Sequence, residues 1–256
     1  MLQFLLWLFL LFPPQNIVQI NQIHDFISID NLGNIFVVNN SELIKFNSQG
    51  EKLTVFSNSM LGTISYIDVT NPLQVLVFYN DFNQILFLDR NLAEIGNEID
   101  LYEFSDNETE LVCVSPNGGF WIYNRNSNQA IHISEYGKKI NESILLNSFY
   151  EDRIPSKILE YNNNLYLLYP DLGILNLDRN GQFKKKTTVT GIKDFQISKN
   201  NLYYTIDTGV FLLQSFEQED KLIYKSKNLL EGEYIIQNNN LYISNKKSIS
   251  IKTLTL

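Results

Sequence analysis

The sequence predicts an all-β protein: a six-bladed β-propeller built from four-stranded antiparallel blades. Three observations predict it. Ile, Val, Phe, Tyr and Thr abound while Ala93 and Ala130 are the only alanines, a composition that favours strands over helices. No segment keeps a 3.6-residue apolar period for three turns. Short apolar strands recur behind polar turns at a spacing of about 40 residues, the period of a propeller blade.

In chain order, Leu2 to Phe12 form an uncharged apolar run ended by Pro13-Pro14. A membrane-spanning helix needs ~20 apolar residues, so no transmembrane span is expected here. The run reads instead as the apolar region of a secretory signal peptide covering residues 1–14, with residues 15–256 as one propeller domain. An exported protein is expected, periplasmic or associated with the cell envelope, with secretion as the alternative. Ile17-Val18-Gln19-Ile20 is a lone strand.

The six repeats follow. Their second strands begin at Ile35, Val75, Phe120, Leu165, Leu202 and Leu241, each behind a turn rich in Asn, Gly or Pro. First strands precede those turns, at Phe26–Ile29, Ser65–Val69, Leu111–Val114, Lys157–Tyr161, Asp194–Ile197 and Tyr234–Ile236. Third strands come after, from Leu43, Ile85, Ala130, Gly173, Gly209 and Ser248. Fourth strands include Lys52–Phe56 and Phe183–Val189. The last repeat lacks one before Leu256, and the strand at 17–20 is the candidate that completes it and removes two open edges.

The first repeat, Asp30-Asn31-Leu32-Gly33-Asn34-Ile35-Phe36-Val37-Val38, then Leu43-Ile44-Lys45-Phe46 and Ser48-Gln49-Gly50, resembles a repeat of the NHL-type propellers. Leu175-Asn176-Leu177-Asp178-Arg179-Asn180-Gly181 echoes its end. The resemblance implies six blades and, because NHL-like propellers mostly bind partners, a binding role; a minority of related six-bladed proteins are enzymes.

The net charge of −8, from 20 Lys+Arg against 28 Asp+Glu, argues against nucleic-acid binding. The single cysteine, Cys113, precludes an intramolecular disulfide and alternates with apolar residues as a core thiol. No nucleophile elbow, His-Glu-x-x-His or phosphate loop occurs, so no catalytic residue and no cofactor is assigned. His24 and His132 fall in different repeats, as structural or solvent-facing residues rather than a catalytic pair. Related propeller hydrolases hold a divalent metal in the central channel, and Asp68, Glu110, Glu160 and Asp194 are the carboxylates to compare. They do not fall at equivalent strand positions, so no metal site is assigned.

The loops carry the functional expectation. In a propeller, second-to-third-strand loops share a face with the connections between blades. That face gathers Tyr79, Asp81, Phe82 and Arg125 from the former, and Tyr102, Phe104, Phe149 and Tyr150 from the latter. Aromatics mixed with charges on a rigid scaffold suit a protein-docking surface. Lys184-Lys185-Lys186 is expected on an exposed outer strand that discourages edge pairing. The expected function is therefore an exported, non-enzymatic interaction module or accessory subunit of an envelope or secreted assembly. The alternatives are a metal-dependent hydrolase or lactonase, or a lyase, acting in the channel, and recognition of a glycan or small ligand.

Overall fold

The computed structural model describes residues 18–105, 109–151, 153–213, 220–225 and 232–254. The expected signal peptide lies outside these. Strand β1 (Val18–Asn21) comes first. Blade one holds β2 (Phe26–Ile29), β3 (Ile35–Asn39), β4 (Glu42–Phe46) and β5 (Lys52–Ser57). Blade two holds β6 (Tyr66–Asp68), β7 (Gln74–Tyr79), β8 (Gln84–Asp89) and β9 (Glu94–Asp100). Blade three holds β10 (Val112–Val114), β11 (Phe120–Asn124), β12 (Gln129–Ile133) and β13 (Lys139–Glu142). Blade four holds β14 (Lys157–Tyr161), β15 (Asn164–Tyr169), β16 (Gly173–Asp178) and β17 (Phe183–Thr187). Blade five holds β18 (Asp194–Ser198), β19 (Asn201–Ile206), β20 (Gly209–Leu212) and β21 (Lys221–Lys225). Blade six holds β22 (Glu233–Gln237), β23 (Asn240–Ser244) and β24 (Ser248–Thr253), and takes β1 as its outer strand. All pairings are antiparallel, and β1 pairs Ile20 with Ile249. The fold is the all-β, six-bladed propeller the sequence predicts, including its closure.

The pattern of burial explains the strand sequences. Second and third strands lie between neighbouring blades and are covered on both faces, so Ile35-Phe36-Val37-Val38 is apolar without alternation and fully buried. Each core cluster joins two blades: Phe36 and Val38 meet Val75 and Val77, and Leu76 and Phe78 meet Phe120 and Ile122. Fourth strands face solvent, and Lys184, Lys185 and Lys186 are exposed on β17.

Local chemistry sets the turns. The turns at Asn162-Asn163, Lys199-Asn200 and Asn238-Asn239 connect paired strands with both residues at positive φ, the backbone of a type I′ hairpin, which Asn tolerates. The turns after third strands share a different device. Asn47, Asp89, Ser134 and Asp178 each accept backbone N–H groups two and four residues on, and a residue at positive φ follows, at Gly50, Leu92, Gly137 and Gly181. Among the described residues no helix is long and apolar enough to cross a membrane.

Candidate functional site

The first strands of blades one, two, four, five and six line a central channel of about 790 Å³. Its polar side chains bridge adjacent blades. On β6, Asp68 is buried and its Oδ2 accepts the Val114 N–H of β10 at 2.9 Å. On β14, Glu160 is buried and takes the Trp121 indole N–H at 2.6 Å and the Asn117 amide at 3.0 Å, both from blade three. Lys157 donates to Asp194 Oδ1 at 2.6 Å and to the Phe195 carbonyl at 2.8 Å on β18. Gln196 binds the Tyr234 carbonyl and the Ile236 N–H of β22. Glu233 then accepts the Ile27 N–H of β2 at 3.0 Å, across the seam where the ring closes. Desolvation pushes the Glu233 carboxyl up to about 7, against the opposing pull of its Ile27 hydrogen bond.

The carboxylates compared with a propeller metal site therefore do different jobs. Asp68, Glu160 and Asp194 face neighbouring strands, and Glu110 is exposed beside Arg125 at 3.7 Å. No group of three His, Cys, Asp or Glu that could hold a metal ion occurs among the described residues. Neither histidine lines the channel. His24 sits in the connection before β2, not on the strand itself, and is buried with Nε2 2.5 Å from Ser244 Oγ and Nδ1 2.6 Å from the Gln22 carbonyl. His132 stacks on Trp121 with ring centroids 4.7 Å apart and reaches the Gly118 carbonyl. Cys113 is buried, and that burial drives its thiol pKa well upward.

The opposite kind of surface lies at the loop face. Connections between blades run over the second-to-third-strand loops and bond to them: Ile64 N–H to the Asn40 carbonyl, Leu101 N–H to Asn83, Leu146 N–H to Asn128 and His24 N–H to Lys246. Asn83 also accepts the Thr109 N–H at 2.9 Å. This face divides the eight loop residues singled out by sequence. Asp81, Phe82, Tyr102 and Arg125 are exposed. Tyr79 and Tyr150 are buried; Tyr150 packs on Tyr169 at 4.3 Å with the Lys186 ammonium 4.0 Å above its ring. Phe104 and Phe149 are half-buried against the cores beneath them, and Phe149 stacks on Phe183. Aromatic rings at strand ends serve burial as readily as exposure, and the linear sequence carries no signal that separates the two.

Sequence reasoning missed Ile23, Met60 and Leu145, which stand 69%, 82% and 54% exposed on the same connections. Each sits within a connection whose neighbouring residue, His24, Leu61 or Leu146, is buried, and that local alternation was the available signal. It also missed Lys157, Gln196 and Glu233, polar residues within apolar first strands.

No family model matches the chain, and no curated protein matches it in sequence. Solved structures match its fold. A streptogramin B lyase aligns with a TM-score of 0.62 and 14% identity, covering 90% of this chain and 78% of that one. A catalytically inactive virginiamycin B lyase from Staphylococcus aureus, solved with quinupristin, aligns at 0.60 and 16%, covering 94% and 97%. BBS1N in complex with ARL6DN aligns at 0.58 and 11%, covering 86% and 75%. At these identities the likeness is one of fold: the chain is a six-bladed β-propeller.

Proposed function

We propose that the protein is an exported, non-enzymatic interaction module that docks a protein partner on its loop face. One observation carries the reading: Ile23, Met60, Phe82, Tyr102 and Leu145 present large apolar side chains to solvent from the connections and loops of a single face. Exposed apolar and aromatic side chains on a rigid frame are what an interface core requires. Phe82 is pre-positioned: a Cβ added at Gly62 would lie 3.4 Å from its ring and 3.0 Å from the Asp81 carboxyl. The apolar run Leu2–Phe12 supports export. Propellers of this shape include both lyases and one solved in complex with another protein, so the choice rests on the site. A channel enzyme would need polar groups of the channel turned to a substrate, whereas Asp68, Glu160, Lys157, Gln196 and Glu233 bind neighbouring strands.

The test is purification of the full chain from its native envelope in mild detergent, followed by mass spectrometry. A stoichiometric protein should be retained by the wild type and lost from the Phe82→Ser, Tyr102→Ser double variant with the melting temperature unchanged. Recovery of a lone monomer, or equal retention by the variant, refutes the reading.

A further inference from the structure

On the opposite side of the ring, between blades four and five, a second cleft of about 370 Å³ opens beside the Asn162-Asn163 and Lys199-Asn200 turns. Its floor is apolar, formed by Ile174, Ile197, Leu202 and Leu213. Its walls are two tyrosines, Tyr161 and Tyr166; the exposed amides of Asn162, Asn200 and Asn201 stand at its rim, and the buried Asn176 lies deeper.

The register of the blades shows why the cleft is open. Phe36 pairs with Lys45 in blade one, Leu76 with Phe87 in blade two, and Trp121 with His132 in blade three. Each of those third-strand residues fills or closes its place: Lys45 donates to the Arg90 carbonyl at 2.7 Å, Phe87 packs against Phe120, and His132 stacks on Trp121. Blade four puts Asn176 there, opposite Tyr166. Asn176 is 4% exposed and lines the cleft, and its Oδ1 has no hydrogen-bond partner. A buried amide oxygen without a donor is unfavourable for the protein alone and becomes favourable when a ligand hydroxyl reaches it.

The walls are held before any ligand arrives. The Tyr161 hydroxyl donates to Asn200 Oδ1 at 2.9 Å and accepts the Asn200 N–H at 3.2 Å. Asn162 donates to the same Asn200 oxygen. The Tyr166 ring leans on Phe195 with centroids 6.3 Å apart. An apolar floor, rigid aromatic walls and a rim of amides match a molecule with one apolar face and a fringe of hydroxyls. A pyranose ring is such a molecule. We infer that the cleft between blades four and five binds a carbohydrate, with Asn176 Oδ1 accepting from a sugar hydroxyl and the tyrosines bounding its apolar face. This site is separate from the docking face and stands whether or not that reading holds.

Saturation-transfer NMR on the full chain with maltose, cellobiose and N,N′-diacetylchitobiose tests it, with inorganic phosphate as a control for anion binding near Lys185. At least one sugar should receive saturation. Its affinity should fall tenfold or more in Asn176→Leu, which fills the cleft with the kind of apolar side chain blade two uses, and in Tyr161→Ala. Tyr161→Phe, which keeps the ring, should retain most of the binding. Melting curves of the variants establish that they fold. No transfer to any of the three sugars, binding indifferent to both variants, or displacement of bound sugar by phosphate alone would overturn the assignment.

Discussion

The bridge from Glu160 to Trp121 offers the sharpest test of whether the channel carboxyls hold the ring together. Glu160→Ala removes the acceptor of a fully buried indole N–H at 2.6 Å, whereas Asn117 keeps a second acceptor in Asn163 Oδ1 at 2.9 Å. An unsatisfied buried donor costs about 1–3 kcal/mol and the lost side-chain packing about 1 more, so the variant should lose roughly 2–4 kcal/mol. Trp121→Phe removes the donor, shrinks the ring that stacks on His132 and leaves one carboxyl oxygen short of a partner; about 2 kcal/mol is expected. In the double variant the polar mismatch disappears, so the two losses should not add. A coupling of about 1–2 kcal/mol should appear in the double-mutant cycle. Urea unfolding followed by far-ultraviolet circular dichroism reads all four proteins without depending on tryptophan emission. Losses that add to within about 0.3 kcal/mol would show that the hydrogen bond does not join the blades. A Glu160→Ala variant as stable as the wild type would return the carboxyl to the set of groups available for chemistry.

Three further outcomes follow from local geometry. Gly173→Ala should destabilise the fold by more than about 3 kcal/mol, because a Cβ there would lie 1.8 Å from the Thr187 carbonyl oxygen at a φ of +107°; Gly96→Ala, with nothing within 4 Å, should cost only about 1 kcal/mol of left-handed strain, and equal melting temperatures for the two would refute the packing. Glu233 holds its proton up to about pH 7 in the folded ring but loses it near 4.5 once unfolded, so stability should decline as pH rises through that window. Channel water screens the effect to about 1 kcal/mol, and Glu233→Gln should gain on the wild type by that amount between about pH 5 and pH 8; a difference independent of pH would refute the assignment. Cys113 should resist thiol reagents in the native protein and react promptly in urea, since it is buried with its thiolate disfavoured; stoichiometric labelling without denaturant would contradict that environment.

The ring itself was legible from the chain because its strands repeat and its turns have strict backbone needs. The Asn pairs at 162–163 and 238–239 mark hairpins by residue type alone, and the missing last strand pointed back to residues 17–20. The device after third strands was harder to read. Its oxygen acceptor varies among Asn47, Asp89, Ser134 and Asp178, and Leu92 stands where the other three turns have glycine. What the side chains do was less legible still. Phe82 and Tyr150 both close a strand-end loop or connection in an aromatic-rich stretch, yet one faces water and the other Tyr169. That difference is set by the neighbouring blade, a contact across tens of residues that no local pattern encodes. Asp68, Glu160 and Asp194 resembled scattered channel carboxylates for the same reason: their partners, Val114, Trp121 and Lys157, belong to the adjacent blade.

The pairing of Val18–Asn21 with Ser248–Ile251 also dictates when the protein can finish folding. Blades one to five are each assembled from contiguous chain and can collapse as they emerge. The sixth joins residues from the two ends of the domain, so its contact order is the largest in the molecule and its loop-closure entropy is the last to be met. Until the final strand arrives, β1 is an unpaired edge and the inner seam at Ile27 lacks its Glu233 acceptor. A partly delivered chain is therefore an open arc with two reactive edges, prone to pair with a second copy. The ring acquires its cooperative stability in one late step, and any factor that escorts this protein has most to do just before that step.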